Sequence, residues 1–360
     1  MGILINENNF GYCLFTKNKI INKFDVNSNF SNKKIIKNNT LLLRDIEFGK
    51  RIKAIPKYFY YFSPIICAEK TIIRDCNLEN SNIINEFSII SNNTSYITIK
   101  YNYTNNLILK QILCEWKSFF KNKQRFYLFL FEAYHHLLDA ITILVNNCFV
   151  NFYYCFNNIY INHNTQLPYI MDFSYSLDNT NIKKSLSIIK NISKENIYKY
   201  PFEIYIINYI LNRPEKKLNI LFTEKNITCI VNDFINNHKF YNKFNITDYY
   251  NICVSLVKNY ATYFYKELLI YLFRQNIYWD NYLLSMVMLE TLETIFLEDI
   301  YIFSQVNNNC IITDFMEVLK QNIHPNFMMR NTIDNTKMLT KKILFNNNMD
   351  AYNHLLKHVF

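Results

Sequence analysis

Apolar and polar positions follow two rhythms along this chain, and the change from one to the other divides it. Residues 3 to 15, Ile-Leu-Ile-Asn-Glu-Asn-Asn-Phe-Gly-Tyr-Cys-Leu-Phe, set two apolar runs around a polar turn and predict a hairpin. Lys34-Ile-Ile-Lys37 predicts a short strand, and Ser95-Tyr-Ile-Thr-Ile-Lys-Tyr101 alternates as a half-buried strand does. Between them, Leu42-Leu-Arg-Asp-Ile-Glu-Phe-Gly-Lys-Arg-Ile52 spaces its apolar residues for a helix. From Leu107 the helical period takes over. Leu107 to Phe120 reads as one helix, and Arg125 to Asn146 as a long one with more apolar residues than a single stripe needs, hence buried. Asp178 to Lys199 is polar and predicts an irregular segment, Tyr205 to Leu211 a helix broken at Asn212-Arg-Pro, and Trp279 to Leu289 a further helix. The expected class is α+β, with a sheet-rich part at residues 1–105 and a mainly helical part at 106–360.

Composition changes this picture little. A chain of 360 residues, half of them hydrophobic, can build a sizeable core. Asn, Ile, Lys, Tyr and Phe abound while Gly occurs three times and Pro six, a bias that fits an AT-rich genome, so a single Asn carries little information. Scarce glycine leaves positive-φ positions to residues such as Asn. The formal charge of +10 is spread along the chain without a block of like charges, which reads as solvated surface and leaves nucleic acid an unlikely partner. Nine cysteines show no C-x-x-C pair and no zinc spacing, so reduced thiols are expected. The start, Met-Gly-Ile-Leu-Ile-Asn-Glu, lacks the features of a signal peptide. The most apolar stretch, Tyr127 to Val150, contains Glu132, His135, His136 and Asp139, which would be costly in a bilayer. A soluble cytoplasmic protein with no membrane association is expected, with His135 and His136 as core or interface residues.

Candidate chemistry concentrates between Asn151 and Leu177. There Asn-Phe-Tyr-Tyr-Cys-Phe-Asn-Asn-Ile-Tyr-Ile is followed by a polar turn and by Pro168-Tyr-Ile-Met-Asp-Phe-Ser-Tyr-Ser-Leu. This resembles the catalytic loop of protein kinases, His-Arg-Asp, four residues, Asn, with its hairpin and Asp-Phe-Gly turn. On that frame Asn158 and Asp172 take the places of the Mg²⁺ ligands. Tyr153 stands at the catalytic Asp, Asn151 at the His, Cys155 at the loop Lys and Ser174 at the Gly.

Other landmarks follow in kinase order. Asn6, Asn8 and Gly11 fall on the glycine-rich loop, with only the last glycine kept. Lys37 is the preferred phosphate-contacting lysine, Lys34 its alternative, and Glu47 its helix partner. Tyr200-Pro-Phe-Glu203 resembles Ala-Pro-Glu. Trp279-Asp280-Asn-Tyr resembles the central helix of the large lobe, whose Asp anchors the catalytic loop, and His324-Pro-Asn-Phe-Met-Met-Arg330 resembles the late segment whose Arg pairs with Glu203. Residues at about 212–275 read as an insertion. Asp45-Ile-Glu-Phe-Gly-Lys-Arg-Ile, Ile55-Pro56 and Phe62-Ser-Pro64 are similar to the divergent serine/threonine protein kinases of giant nucleocytoplasmic DNA viruses.

The resemblance implies a bilobal kinase-like fold with a small N-lobe and a larger helical C-lobe. Tyr153, with a reference pKa near ~10, is a poor base at neutral pH, and base assistance is worth roughly 10²–10⁴-fold. Cys155 also removes a cation. The implied reading is a pseudokinase acting as scaffold or allosteric regulator toward a protein partner, with ATP and Mg²⁺ as cofactors retained or lost. An active serine/threonine kinase with a protein substrate, and a basic nucleic-acid-binding protein, are the alternatives.

Overall fold

The computed structural model describes residues 6–8, 11–13, 33–37, 39–71, 96–101, 107–121, 123–152, 159–162, 165–213, 221–241, 248–296 and 310–344. In chain order, strands β1 (Asn6–Asn8) and β2 (Gly11–Cys13) pair antiparallel, so the expected hairpin forms through its polar residues, with Asn6 opposite Cys13. Strand β3 (Lys33–Lys37) leads to helix α1 (Thr40–Lys53), and strands β4 (Ile65–Thr71) and β5 (Tyr96–Tyr101) follow. The stretch expected as one helix from Leu107 begins as a strand, β6 (Leu107–Ile108), and breaks at Glu115 between α2 (Leu109–Cys114) and α3 (Trp116–Phe119). Pairing with a strand remote in sequence overrides the local helical period there. Helix α4 (Lys123–Asn146) then runs to strands β7 (Phe149–Val150), β8 (Ile159–Ile161), β9 (Pro168–Ile170) and β10 (Leu177–Asp178).

The segment expected to be irregular, Asp178 to Lys199, instead folds as α5 (Ile182–Lys190) and α6 (Lys194–Ile197). Asn181 caps α5 by accepting the Lys184 N–H at 3.1 Å, and Ser185 and Ile189 give it a buried stripe. Polar composition concealed an amphipathic helix. Next come α7 (Phe202–Leu211), α8 (Glu224–Asn237), α9 (Tyr249–Tyr260), α10 (Tyr265–Phe273), α11 (Trp279–Phe296), α12 (Cys310–Asn322) and a helix over 333–344.

The chain divides into two compact units, one of Met1–Leu109 with Asn157–Ser176, the other of Lys110–Phe156 with Leu177–Phe360. In the first, β5 is the middle strand of the antiparallel order β3-β5-β4, and β8 the middle strand of β6-β8-β9. Leu42, Ile65, Ile99, Tyr169 and Met171 form a core between α1 and these strands. Helix α1 buries the stripe Leu42, Asp45, Phe48, Gly49 and Ile52 and starts at Asn39, whose side chain accepts the Leu42 N–H at 2.8 Å. Gly49 lets it approach β4 closely, since a Cβ there would lie 3.3 Å from Pro64 Cβ.

The second unit is mainly helical, with β7 and β10 as a short antiparallel pair, and it contains α11, every residue of which from Trp279 to Leu289 is buried. Several polar side chains of this buried helix find partners inside the fold. Ser285 shares a hydrogen bond with the Tyr134 hydroxyl at 3.2 Å and accepts one from Asn322 at 3.0 Å. The Asn281 amide donates to Thr336 Oγ1 at 3.0 Å and to the Asn331 carbonyl at 3.1 Å. Half-buried His135 lies 2.7 Å from Thr340 Oγ1, and burial, with the Lys341 charge, pulls its pKa down to about 4.

Candidate functional site

In the first unit the hairpin β8–β9 delivers the chain to Met171-Asp172-Phe173-Ser174. Ile170 joins it to the segment before β4, for its N–H donates to the Tyr61 carbonyl and its carbonyl accepts the Ser63 N–H, each at 2.9 Å. Asp172 has φ 65°, the left-handed conformation that short polar side chains tolerate best after glycine. Its Oδ1 accepts the Ser174 N–H at 3.1 Å, and the residue is buried. Phe173, 1% exposed, meets Phe62 edge to face with centroids 6.0 Å apart.

Helix α1 grips this turn through two neighbouring residues. Asp45 Oδ1 accepts the Phe173 N–H at 2.9 Å. Arg44 donates from Nε to the Ser174 carbonyl at 2.8 Å and from its guanidinium to the Ser176 carbonyl. Burial pushes the Asp45 carboxyl up to about 6, against the pull of the Phe173 N–H. Burial lowers the Arg44 pKa and Glu47 opposes that shift. Burial, reinforced by the Asp172 charge, raises the Tyr175 phenol.

Glu47, the acid the sequence singles out on this helix, lies on the exposed face of α1. The acid that reaches the Asp172 turn is Asp45, which sequence reasoning missed. Its signal was positional, because Asp45 falls between Leu42 and Phe48 on the apolar stripe, where an unpartnered charge would be costly. Gly11 is on β2 opposite Asn8, and Lys37 ends β3 opposite Tyr96. The side chain of Lys37, like that of Lys34, lies outside what the structure describes.

In the second unit, α4 and β7 lead to Asn151 and Phe152. The Asp280 carboxylate, at the start of α11, accepts the Asn151 N–H at 3.0 Å and the Phe152 N–H at 3.1 Å. Phe152 has φ 62° and packs against Tyr200 and Trp279, with centroids 4.7 and 5.8 Å away. Tyr153, Cys155 and Asn158 lie outside the described residues. Among the described residues no group of three or more His, Cys, Asp or Glu could hold a metal ion, and of the two expected metal ligands only Asp172 lies among those residues.

Glu203 lies in the first turn of α7, and Arg330 follows the turn Phe327–Met329. Arg330 donates from Nη1 and Nη2 to the two Glu203 oxygens, at 2.8 Å each. It also donates from Nε to the His324 carbonyl at 2.6 Å and lies over the Tyr282 ring, 4.8 Å from its centroid.

No protein-family model matches this chain, and no curated protein sequence matches it. Among solved structures it is similar to that of the pseudokinase PEAK1 (Sugen Kinase 269), with a TM-score of 0.45 and 10% sequence identity. The similarity covers 89% of this chain and 63% of that one, so the chain spans less than two thirds of its length.

Proposed function

We propose that this chain is a protein kinase-like protein in which phosphoryl transfer is impaired, a pseudokinase that serves a protein partner as scaffold or allosteric regulator and binds Mg²⁺ and ATP through the Asp172 turn. The observation that carries this reading is the bracing of the Asn151 and Phe152 backbone by Asp280. A carboxylate receiving two buried N–H groups fixes the chain immediately before Tyr153, the residue that the kinase resemblance aligns with the catalytic Asp. Positioning is most of what a phosphotransferase scaffold does. On this reading the frame is kept and the base is lost, because a phenol with a reference pKa of about 10 does not accept a proton at neutral pH.

Asp172 supports the nucleotide part. Mg²⁺ takes oxygen ligands, commonly one or two carboxylates together with phosphate oxygens and water. The Asp172 carboxylate is held by burial and by the Ser174 N–H in a backbone conformation uncommon outside glycine, the kind of local strain that clusters at functional sites. Asn158 is the second proposed ligand and Lys37 the proposed phosphate contact. Bound Mg²⁺ would neutralise charge on the phosphates. Asp45 and Arg44 hold the Asp172 turn to α1, so the orientation of this carboxylate depends on that helix.

The test is the thermal unfolding midpoint with and without Mg²⁺ and ATP, paired with a phosphate-transfer assay. A ligand that binds only the folded state raises the midpoint. A metal-dependent rise that is lost in Asp172→Asn, without phosphate incorporation, is expected. Incorporation that disappears in Asp172→Asn would replace this reading with an active kinase. No rise at millimolar ATP would remove the nucleotide.

A further inference from the structure

We propose that the ridge from Lys50 to Tyr60, at the C-terminal end of α1, binds single-stranded nucleic acid. Ile55 and Phe62, 7% and 2% exposed, are buried on either side of the turn that carries its rings. Between them the chain forms a closely hydrogen-bonded protrusion. Tyr58 N–H donates to the Ile55 carbonyl, Tyr60 N–H to that of Lys57, and the Tyr61 and Phe62 N–H groups both to that of Tyr58. Lys57, at φ 58°, makes the reversal. This ordered turn holds Phe59 and Tyr60 out at 56% and 52% exposure, their ring centroids 4.5 Å apart and tilted by 42°. Large aromatic side chains are usually buried for their apolar area, so two left more than half exposed on a hydrogen-bonded turn, with Phe59 also meeting Tyr58 edge to face at 6.0 Å, present ring surface to solvent.

The charges beside them select the ligand. Lys50, Arg51, Lys53 and Lys57 occupy the same stretch, and no acidic residue occurs between Glu47 and Glu69. Glu47 lies one helical turn before Lys50 on the exposed face. Lys53 reaches the Ile66 carbonyl at 3.0 Å and Arg51 lies over the Phe48 ring, so Lys50 and Lys57 are the cations directed most fully to solvent. Cations that follow a phosphate backbone, beside aromatic faces on which bases stack, are what binding of a single strand without sequence preference requires. An anionic membrane shares the charge but favours a broad apolar insertion. The aliphatic side chains Ile52 and Ile55 of this stretch are buried, leaving rings with Pro56 and Ala54 at the surface.

The experiment uses the full chain with labelled oligothymidylate and oligouridylate of about 20 nucleotides, read by fluorescence anisotropy from about 50 mM salt upward. Saturable binding that weakens with salt is expected, about fivefold or more weaker in Phe59→Ala with Tyr60→Ala. Lys50→Ser with Lys57→Ser is expected to flatten the salt slope by about 1.4, ~0.7 for each phosphate left without its lysine. Phe59→Leu keeps apolar area but removes a ring face, and is expected to weaken binding as Phe59→Ala does. If the aromatic pair lowers the unfolding midpoint, the lysine pair decides. Absence of binding at low salt, binding unchanged in these variants, or binding to phosphatidylserine vesicles with none to either oligonucleotide would overturn the proposal. The readout is independent of Asp172 and Tyr153, so it stands or falls apart from the nucleotide site.

Discussion

Glu203 and Arg330, distant in sequence, form a two-pronged ion pair whose side chains are 2% and 1% exposed. Each charge is out of water and each has the other as its main compensation. Removing one partner of such a pair typically costs about 3–5 kcal/mol, because the other charge is left buried and alone. Glu203→Ala and Arg330→Ala are each expected to destabilise the second unit by that amount in urea unfolding. A double variant with apolar residues of similar volume, Glu203→Leu with Arg330→Met, is expected to cost less than the sum. Additive costs would show that the two do not act as a pair.

Asp280→Ala removes the acceptor of two buried N–H groups. Hydrogen bonds to a charged group are worth about 1.5–3 kcal/mol each, and unsatisfied buried donors are costly in themselves. A loss of about 3 kcal/mol or more is expected, with Asp280→Asn intermediate because its amide oxygen still accepts. Equal stability of Asp280→Asn and the parent protein would mean that charge contributes nothing there.

His238 lends the second unit an acid sensitivity. Its Nδ1 accepts the Phe240 and Tyr241 N–H groups, at 3.3 Å each, so the proton sits on Nε2 and is donated to the Tyr282 hydroxyl at 2.9 Å. A second proton would face two N–H donors. Burial pulls the pKa down to about 3 from an ordinary 6.5. The unfolded chain binds that proton more readily, so this contribution is complete above pH ~6.5 and is lost as pH falls toward ~3. Denaturant unfolding over that range should show a stability loss that is reduced in His238→Asn, measured as the difference between the two proteins.

Asp45 has the opposite sign. Its folded pKa, about 6, is raised from 3.8, so the folded state holds the proton more tightly. Stability from this group is highest in acid and falls as pH rises from about 4 to about 6. Asp45→Asn retains an acceptor for the Phe173 N–H and removes the titration. The variant should therefore gain on the parent protein as pH rises through that window. A difference independent of pH would assign the burial cost elsewhere.

Tyr153→Asp combined with Cys155→Lys tests the proposed loss of the base directly. If the proposed function holds, phosphate incorporation should rise by roughly 10²-fold or more over the parent protein, and that gain should vanish when Asp172→Asn is added. No gain in a protein whose midpoint still rises with Mg²⁺ and ATP would locate the impairment outside the loop.

Local sequence was sufficient for elements whose period matches their burial. The apolar positions from Leu42 to Ile52 mark α1 because the same stripe that repeats in sequence is the stripe covered in the fold. The order of landmarks also marked Glu203, Asp280 and Arg330 as residues of interest. Tertiary structure decided the rest. Whether Leu107 and Ile108 join a strand or a helix depends on β8, remote in sequence, whose pairing no local window contains. Which acid of α1 reaches the Asp172 turn depends on which face the sheet covers, so Asp45 is drawn inward and Glu47 is left outside. Asp280 meets the Asn151 and Phe152 backbone for the same reason, since their contact joins segments 129 and 128 residues apart in sequence. Periodicity records what a residue's neighbours along the chain require, and contact across the fold is set only when the buried faces meet.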